Sequence, residues 1–240
     1  MVYSENYKIG ISQINKNTEA KDKGILALFE ETSAAHVASV GLGLDTEEGR
    51  RFAWMILDWK LEIIKRPKYK DRVTVRTWSR KIQRIYAYRD YEMLSESGEL
   101  LARATSKWVL FDLFEGKLIP PAEMYESRLE SEPEHAVFDS DIERIKLPSE
   151  LLGEKTFAVR RADIDTGEHM HNTAYLSAAL EVLPDELYGE GNFSKIRINY
   201  QKQYKYGESI KASYSVSDGV ITVVMKDEED NFHSILTFER

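Results

Sequence analysis

The sequence predicts an α+β protein built from two tandem units, each a curved antiparallel β-sheet around one central helix. Three observations carry this expectation. Alternating or branched apolar runs follow one another in series, joined by short turns, with one amphipathic helical stretch ahead of each series. The order strand, helix, four antiparallel strands occurs twice within 240 residues. Short matches mark the repeat: Lys65-Arg66-Pro67-Lys68-Tyr69-Lys70-Asp71-Arg72-Val73 resembles Lys202-Gln203-Tyr204-Lys205-Tyr206-Gly207-Glu208-Ser209-Ile210, and Leu28-Phe29-Glu30-Glu31 resembles Ala179-Leu180-Glu181-Val182. A lone helix wrapped by an antiparallel sheet is a stable layered solution. Two such units make an internal pseudo-dimer, so the expected state is a monomer of that kind or a homodimer.

In chain order, Tyr7 to Ile11 alternates as a short first strand. Lys21 to Val40 reads as a helix, with Ile25, Leu28, Phe29, Thr32, His36, Ser39 and Val40 at steps of three and four. Gly41 and Gly43 end it. Phe52 to Ile64 is a long strand rich in aromatic and branched residues, and Arg66 to Asp71 is a turn. Arg72 to Lys81 alternates, and Tyr86 to Ser95 with Glu99 to Phe111 form a hairpin about Glu96-Ser97-Gly98. Leu113 to Gly153 differs, with Pro120, Pro121, Pro133 and Pro148. Its stretch from Glu123 to Arg144 has eight acidic residues against two basic ones. It reads as a partly helical connector with a solvated charged face. After it, Thr156 to Arg160 is a strand, Thr173 to Leu183 a helix ended by Pro184, and Phe193 to Tyr204 a long strand. Glu208 to Ser217, Val220 to Lys226 and Phe232 to Glu239 follow, with Asp218-Gly219 and Asp227 to Asn231 as hairpin loops. The expected division is an N-terminal unit at 1–115, a linker at 116–153 and a C-terminal unit at 154–240.

Composition narrows the function. Charged residues are 31% and apolar ones 42%, ordinary for a folded soluble chain. The net charge of −8 argues against a general nucleic-acid or anionic-membrane binder. The absence of cysteine rules out disulfides, thiolate zinc sites and a Cys nucleophile. No apolar run approaches the ~20 residues of a membrane span, and the first residues lack the layout of a secretory signal. A cytoplasmic protein without cofactor or metal is expected. There is no Gly-rich phosphate loop, zinc spacing or Gly-x-Ser-x-Gly elbow to support another chemistry.

The stretch Arg160-Arg161-Ala162-Asp163-Ile164-Asp165-Thr166-Gly167-Glu168-His169-Met170-His171-Asn172 carries acid–base groups into the start of the second helix. Asn172 is suited to cap that helix, and His171 reads as local structure. Asp165 and His169 are thus delivered to a helix N-terminus, where free N–H groups favour a developing negative charge. That arrangement suits hydrolysis of an ester-like carbonyl.

The ordered landmarks resemble an acyl-[acyl carrier protein] thioesterase of the bacterial and plant type, a double hot-dog protein. They are Phe29-Glu30-Glu31-Thr32 to His36-Val37, Trp54 to Arg66 with Asp71 to Trp78, and Gly98 to Trp108. Asp163-Ile164-Asp165 to His169, Asn172, Tyr175-Leu176 and Glu181-Val182-Leu183-Pro184 complete the set. The resemblance spans nearly the whole chain. It implies chemistry in the second half, on Asp-x-Asn-x-His before the helix and a Glu near the end of the next long strand. Asp165 and His169 match. Gly167 stands at the Asn position, Gln203 at the Glu position, and Tyr204 where plant members often carry Cys.

The resemblance implies hydrolysis of fatty acyl thioesters on acyl carrier protein. A base is drawn from Asp165 and His169, Gln203 positions water through its amide, and Gly167 offers only its N–H and close backbone approach. Asn172 is a further substrate-binding candidate. Alternatives are an acyl-CoA thioesterase and a catalytically inactive acyl-binding protein. Aligning the halves by their helices sets Ile14 against Asp165 and Thr18 against His169, while the turn match sets Arg66 against Gln203. One site per chain is therefore expected. The first half is left to receive the acyl chain through Leu28, Phe29, Thr32, Ala35, Trp54, Ile56 and Leu57. Arg160, Arg161, Lys202 and Lys205 are candidates for docking the acidic carrier.

Overall fold

The computed structural model describes residues 1–121, 125, 128–189 and 191–240. They form two compact units, Met1–Ile142 and Glu143–Arg240.

In the first unit, β1 (Tyr3–Lys8), β2 (Phe52–Ile63), β3 (Arg72–Gln83), β4 (Tyr86–Ser95) and β5 (Leu100–Asp112) form an antiparallel sheet in the order β1-β3-β4-β5-β2. A short β6 (Lys117–Ile119) pairs with β5. The helix α1 (Asp22–Ser39) lies against β1 and β3. Its residues Ile25, Leu28, Phe29, Thr32 and His36 recur on the helical period and are all buried. A second, five-residue helix α2 (Glu47–Arg51) precedes β2, capped by Thr46, whose side chain accepts from the Gly49 N–H at 3.0 Å.

In the second unit, β7 (Glu154–Ala158), β8 (Lys195–Tyr200), β9 (Ser209–Ser217), β10 (Val220–Lys226) and β11 (Phe232–Glu239) form an antiparallel sheet in the order β8-β11-β10-β9-β7. The helix α3 (Asn172–Leu180) contacts β10. A four-residue helix α4 (Asp185–Tyr188) follows. Each unit is thus a helix on an antiparallel sheet, as expected.

Several boundaries differ from expectation. The first strand is Tyr3–Lys8 and not Tyr7 to Ile11, because residues 11–13 form a 3-10 turn. It is a half-buried edge strand whose inward positions are Tyr3, Glu5 and Tyr7, so its apolar signal is weak. α3 stops at Leu180, three residues before Leu183, since a residue preceding proline is pushed out of the helical region. Pro184 instead caps α4, its carbonyl accepting from Tyr188 at 2.9 Å. β8 ends at Tyr200, which leaves Gln203 and Tyr204 in the turn beyond it.

Residues 131–142, expected within the linker, lie on the outer face of the first sheet. The Glu132 N–H donates to the Ser79 carbonyl at 2.8 Å, and the Val137 N–H to Asp90 at 3.1 Å. Trp78 donates to the His135 carbonyl at 2.8 Å and stacks on its ring at 4.1 Å. Asp141 pairs with Arg80 and Lys81 at 2.8 and 2.7 Å. Part of the acidic run therefore has partners on the sheet. Residues 122–124, 126 and 127 of the expected connector lie outside the described set.

Candidate functional site

The loop from residue 160 to 171 is organised by its backbone. After the 3-10 turn Arg161–Asp163, Ile164 bridges Met170, and the Asp165 N–H donates to the His169 carbonyl at 2.8 Å. Glu168 closes the turn with a positive φ of 63°. The Asp165 carboxylate reads these amides directly. Its Oδ1 accepts from the Gly167 N–H at 2.8 Å and from the His169 N–H at 3.2 Å, an Asx-type turn. A Cβ placed on Gly167 would stand 3.2 Å from Asp165 Oδ1 and 3.8 Å from His169 Nδ1. The two candidate groups thus face the same open point over Gly167. Both are half-buried, and Gly167 is exposed.

The helix mouth differs in one respect from expectation. His171, not Asn172, is the N-cap of α3: the Thr173 N–H donates to its Nδ1 at 3.3 Å, and Thr173 Oγ1 lies 2.9 Å away. The chain becomes helical at Asn172, so the last extended residue is His171, and an unprotonated imidazole nitrogen accepts as a carboxamide oxygen would. The Ala174 N–H also turns back, to the His171 carbonyl at 2.8 Å. Two of the amides expected to receive an oxyanion are therefore already engaged by the cap. Asn172 is the first helical residue, and its carbonyl accepts from Tyr200 at 3.0 Å.

Gln203 is exposed on the neighbouring segment. That segment is tied to the site loop, since the Met170 N–H donates to the Tyr204 carbonyl at 2.8 Å and His169 bridges Lys205. Among the described residues no hydrogen bond joins Gln203 to Asp165 or His169. Its two neighbours are held firmly. The Tyr204 N–H donates to Tyr175 Oη at 3.1 Å, and the Tyr204 ring stacks on His233 at 3.8 Å. The Lys202 N–H donates to the His233 carbonyl at 3.1 Å, and its ammonium pairs with Asp227 at 3.0 Å. Desolvation would raise the Asp227 pKa, but hydrogen bonds from Asn231, Lys202 and His233 win and hold the carboxyl well below its usual range. Burial pushes the Tyr175 and Tyr204 hydroxyls well above theirs. Asp227 and His233 were not singled out from the sequence, and Tyr175 was named only as a family landmark. Asp227 was read as a loop residue, and no local signal marks a side chain that acts through tertiary contacts.

The first unit repeats this loop bond for bond. Asn15 Oδ1 accepts from the Asn17 and Glu19 N–H groups at 2.9 and 3.1 Å. The Asn15 N–H donates to the Glu19 carbonyl at 2.8 Å, and Thr18 has the positive φ of 63°. The Ala20 N–H donates to the Pro67 carbonyl at 2.8 Å, and Glu19 bridges Lys68. These bonds set Asn15 against Asp165, Asn17 against Gly167, Glu19 against His169 and Asp22 against Asn172. The expected pairing of Ile14 and Thr18 is therefore off by one residue. The pairing of Arg66 with Gln203 stands, and Arg66 there forms an ion pair with Asp22 at 2.5 Å. An asparagine and a glutamate take the places of the acid–base pair.

Of the acyl-chain candidates, Leu28, Phe29, Thr32 and Ile56 are buried, and Ala35, Trp54 and Leu57 are half-buried. Phe29 packs on Tyr91 at 5.2 Å, whereas Trp54 meets Tyr125 edge-on at 4.7 Å, in a separate cluster with Leu42, Leu110 and Leu129. Of the docking candidates, Arg160 is bonded to Asp163 at 2.7 Å and Lys202 to Asp227, while the Arg161 guanidinium sits 4.4 Å over Tyr206. Among the described residues no helix is long and apolar enough to cross a membrane, and no three His, Cys, Asp or Glu converge as metal ligands would.

Comparison with known proteins finds two family domains in this order along the chain. The family model of the acyl-ACP thioesterase N-terminal domain matches residues 1–123, and that of the C-terminal domain residues 148–237. The chain is 27% identical to oleoyl-acyl carrier protein thioesterase 2, chloroplastic, of Arabidopsis thaliana, over 93% of this chain and 65% of that protein. It is 25% identical to palmitoyl-acyl carrier protein thioesterase, chloroplastic, of Gossypium hirsutum, over 91% of this chain and 56% of that one. It thus spans under two thirds of the length of these plant relatives. Two solved structures share the fold. The 12:0-ACP thioesterase from Umbellularia californica gives a TM-score of 0.87 at 19% identity, over 99% of this chain and 96% of that one. An acyl-ACP thioesterase from Bacteroides thetaiotaomicron gives 0.86 at 18%, over 99% and 97%. With both domain models matched in order and the tandem hot-dog fold in place, the chain belongs to the acyl-ACP thioesterase family.

Proposed function

We propose that this chain hydrolyses fatty acyl-[acyl carrier protein] thioesters to free fatty acid and carrier thiol. The observation that carries the reading is the convergence of Asp165 and His169 on the open face of Gly167, within the C-terminal family domain. Asp165 Oδ1 is engaged by two backbone amides, while the His169 ring makes no hydrogen bond among the described residues. His169 is therefore the base that takes a proton from water, and Asp165 holds the loop that presents it. The attacking oxygen bonds to the carbonyl carbon, and the carbonyl electrons move onto oxygen. Asn172, whose N–H precedes the helical ladder, is placed to receive that charge. Collapse breaks the C–S bond, and the proton held by His169 leaves with the thiolate. Gln203 orients the water through its amide.

The same reading assigns the acyl chain to the first unit, with Leu28, Phe29, Thr32, Ala35, Trp54, Ile56 and Leu57 as its expected contacts. It sets the enzyme in the cytoplasm. The acidic carrier would meet Arg161 and Lys205, since Arg160 and Lys202 already hold carboxylates.

The test is thiol release from acyl-carrier and acyl-CoA thioesters, with wild type and His169→Ala side by side. Turnover on the carrier thioesters that falls by roughly 100-fold or more in the variant is expected. Equal turnover in both proteins removes His169 as base. Turnover on CoA thioesters alone makes the chain an acyl-CoA thioesterase. Tight binding without turnover makes it an acyl-binding protein, as Gly167 and Gln203 in place of the family Asn and Glu would allow.

A further inference from the structure

The inner face of the first unit's sheet carries a band of polar side chains. Two neighbouring cross-strand rows make it. Tyr3, Thr77 and Tyr91 stand opposite one another on β1, β3 and β4. Arg89, Ser106 and Trp59 do so on β4, β5 and β2. Arg89 and Tyr91 are two residues apart on one strand, so both rows share a face. The buried residues Thr32, Ser33 and His36 of α1 lie over it. The band is continuous: Tyr7 Oη is 3.1 Å from Thr32 Oγ1, Tyr91 Oη is 3.1 Å from Ser106 Oγ, and the His36 ring stacks on Tyr3 at 5.1 Å. The Tyr91 ring lies 5.0 Å from Trp59.

Several buried hydrogen-bond donors in this band lack an acceptor. Arg89 is buried, and its Nη1 donates to His36 Nδ1 at 2.9 Å and to Thr77 Oγ1 at 3.2 Å. No carboxylate pairs with it among the described residues. A guanidinium cannot accept, so His36 Nδ1 is the lone-pair nitrogen and Nε2 carries the hydrogen. Burial first, and the Arg89 charge second, push the His36 imidazole down to about 3, so it stays neutral. Its Nε2–H is buried and meets no acceptor among the described residues, and neither does the Trp59 Nε1–H. Buried donors without acceptors, and a buried cation without an anion, are costly. A ligand bearing oxygen acceptors matches such a set, and a methylene chain does not.

We propose that the first unit selects acyl chains bearing an oxygen acceptor (hydroxyl, keto or carboxylate) on a carbon remote from the carbonyl, recognised by Arg89 and His36 Nε2–H with Trp59 beside them. This rests on the reading that the first unit receives the acyl chain. Sites built to hydrogen-bond a substrate oxygen discriminate strongly against the analogue that lacks it.

The test is a titration of the whole chain with S-alkyl-pantetheine thioethers of one alkyl length, which carry no carboxylate head: unsubstituted, mid-chain hydroxy, ω-hydroxy and ω-carboxy. The tightest oxygenated thioether is expected to bind roughly 10-fold or more tighter than the plain one. Arg89→Met brings that ratio toward one, and Arg89→Lys, which keeps the charge and loses the fork, leaves part of it. Should Arg89→Met fail to fold, His36→Phe is read by the same ratio. A wild-type ratio near one overturns the inference, as does a full ratio in either variant. Binding needs no turnover, which separates the two readings. Hydrolysis of plain carrier thioesters without oxygen preference removes this inference and leaves the hydrolase. Arg89-dependent binding without any hydrolysis does the reverse.

Discussion

Asn15 and Asp165 make the same two hydrogen bonds to the same two amides, in loops that enter α1 and α3 alike. Around them the side chains diverge. The first loop has Asn17, Glu19 and an Asp22–Arg66 ion pair, where the second has Gly167, His169, Asn172 and Gln203. The backbone frame therefore needs only a side-chain oxygen at its first position, carboxylate or amide. The chemistry is carried by the rest. Each unit serves as the other's control.

The largest expected effect concerns the position shared by Arg66 and Gln203. Asp22 is 2% exposed beside Arg66, so Arg66→Gln takes the paired positive charge away from a buried carboxylate. It should destabilise the protein by about 3–5 kcal/mol in urea unfolding. Gln203→Ala, on an exposed turn, should change stability by about 0.5 kcal/mol or less. Equal effects would mean that the two turns are not differently loaded.

Next comes acid. The His36 pKa is lowered by burial and by Arg89 to about 3. The unfolded chain takes up this proton near pH 6.5 and the folded one only near 3, so the contribution of His36 is complete above that upper value. It is lost as pH falls, at about 1.4 kcal/mol per pH unit between the two. The comparison is wild type against His36→Gln in urea at pH 7, 5.5 and 4.5, as flagged by about these steps. A gap between them that stays constant with pH would show that His36 titrates normally.

Asp165→Asn copies the first loop into the second. The frame should survive, with stability within about 0.5 kcal/mol, while thiol release falls by roughly 10- to 100-fold through loss of the charge beside His169. Unfolding of this variant would break the equivalence of the loops. A small effect is also expected from Gly167→Asn. Its Cβ needs Asp165 Oδ1 to give by a few tenths of an ångström, yet Asn17 already occupies the matching place. A cost of about 1 kcal/mol or less is expected, and a larger one would show that the second loop is the tighter of the two.

Elements with local signals were legible in the sequence. Glu96-Ser97-Gly98 and Asp218-Gly219 mark their hairpins because the turn itself needs those residues, and Gly98 and Gly219 both have positive φ. The convergence of Asp165 and His169 was legible from spacing and family likeness. The off-by-one pairing of the loops was not, because it is written in backbone bonds and not in shared side chains. Nor was the His171 cap, since Asn172 beside it is the stronger capping type by composition. The helices α2 and α4 are only five and four residues long and have no period to detect. The polar band under α1 was missed for another reason. Thr32 and His36 were counted toward the apolar stripe, and Arg89 and Ser106 meet His36 and Trp59, which come from distant sequence.

The segment 131–142 gives the first unit an order of assembly. Synthesis proceeds from the N-terminus at about 5–20 residues per second, and domains tend to fold as they emerge. The five long strands are complete at Asp112, yet Trp78 and Asp90 still await His135 and Val137. For a second or more the nascent sheet shows an indole and a carboxyl that the finished unit buries. A chaperone or a ribosome surface would meet that face first. A fragment ending near residue 115 would keep it bare permanently, whereas one ending at Ile142 would carry its own cover.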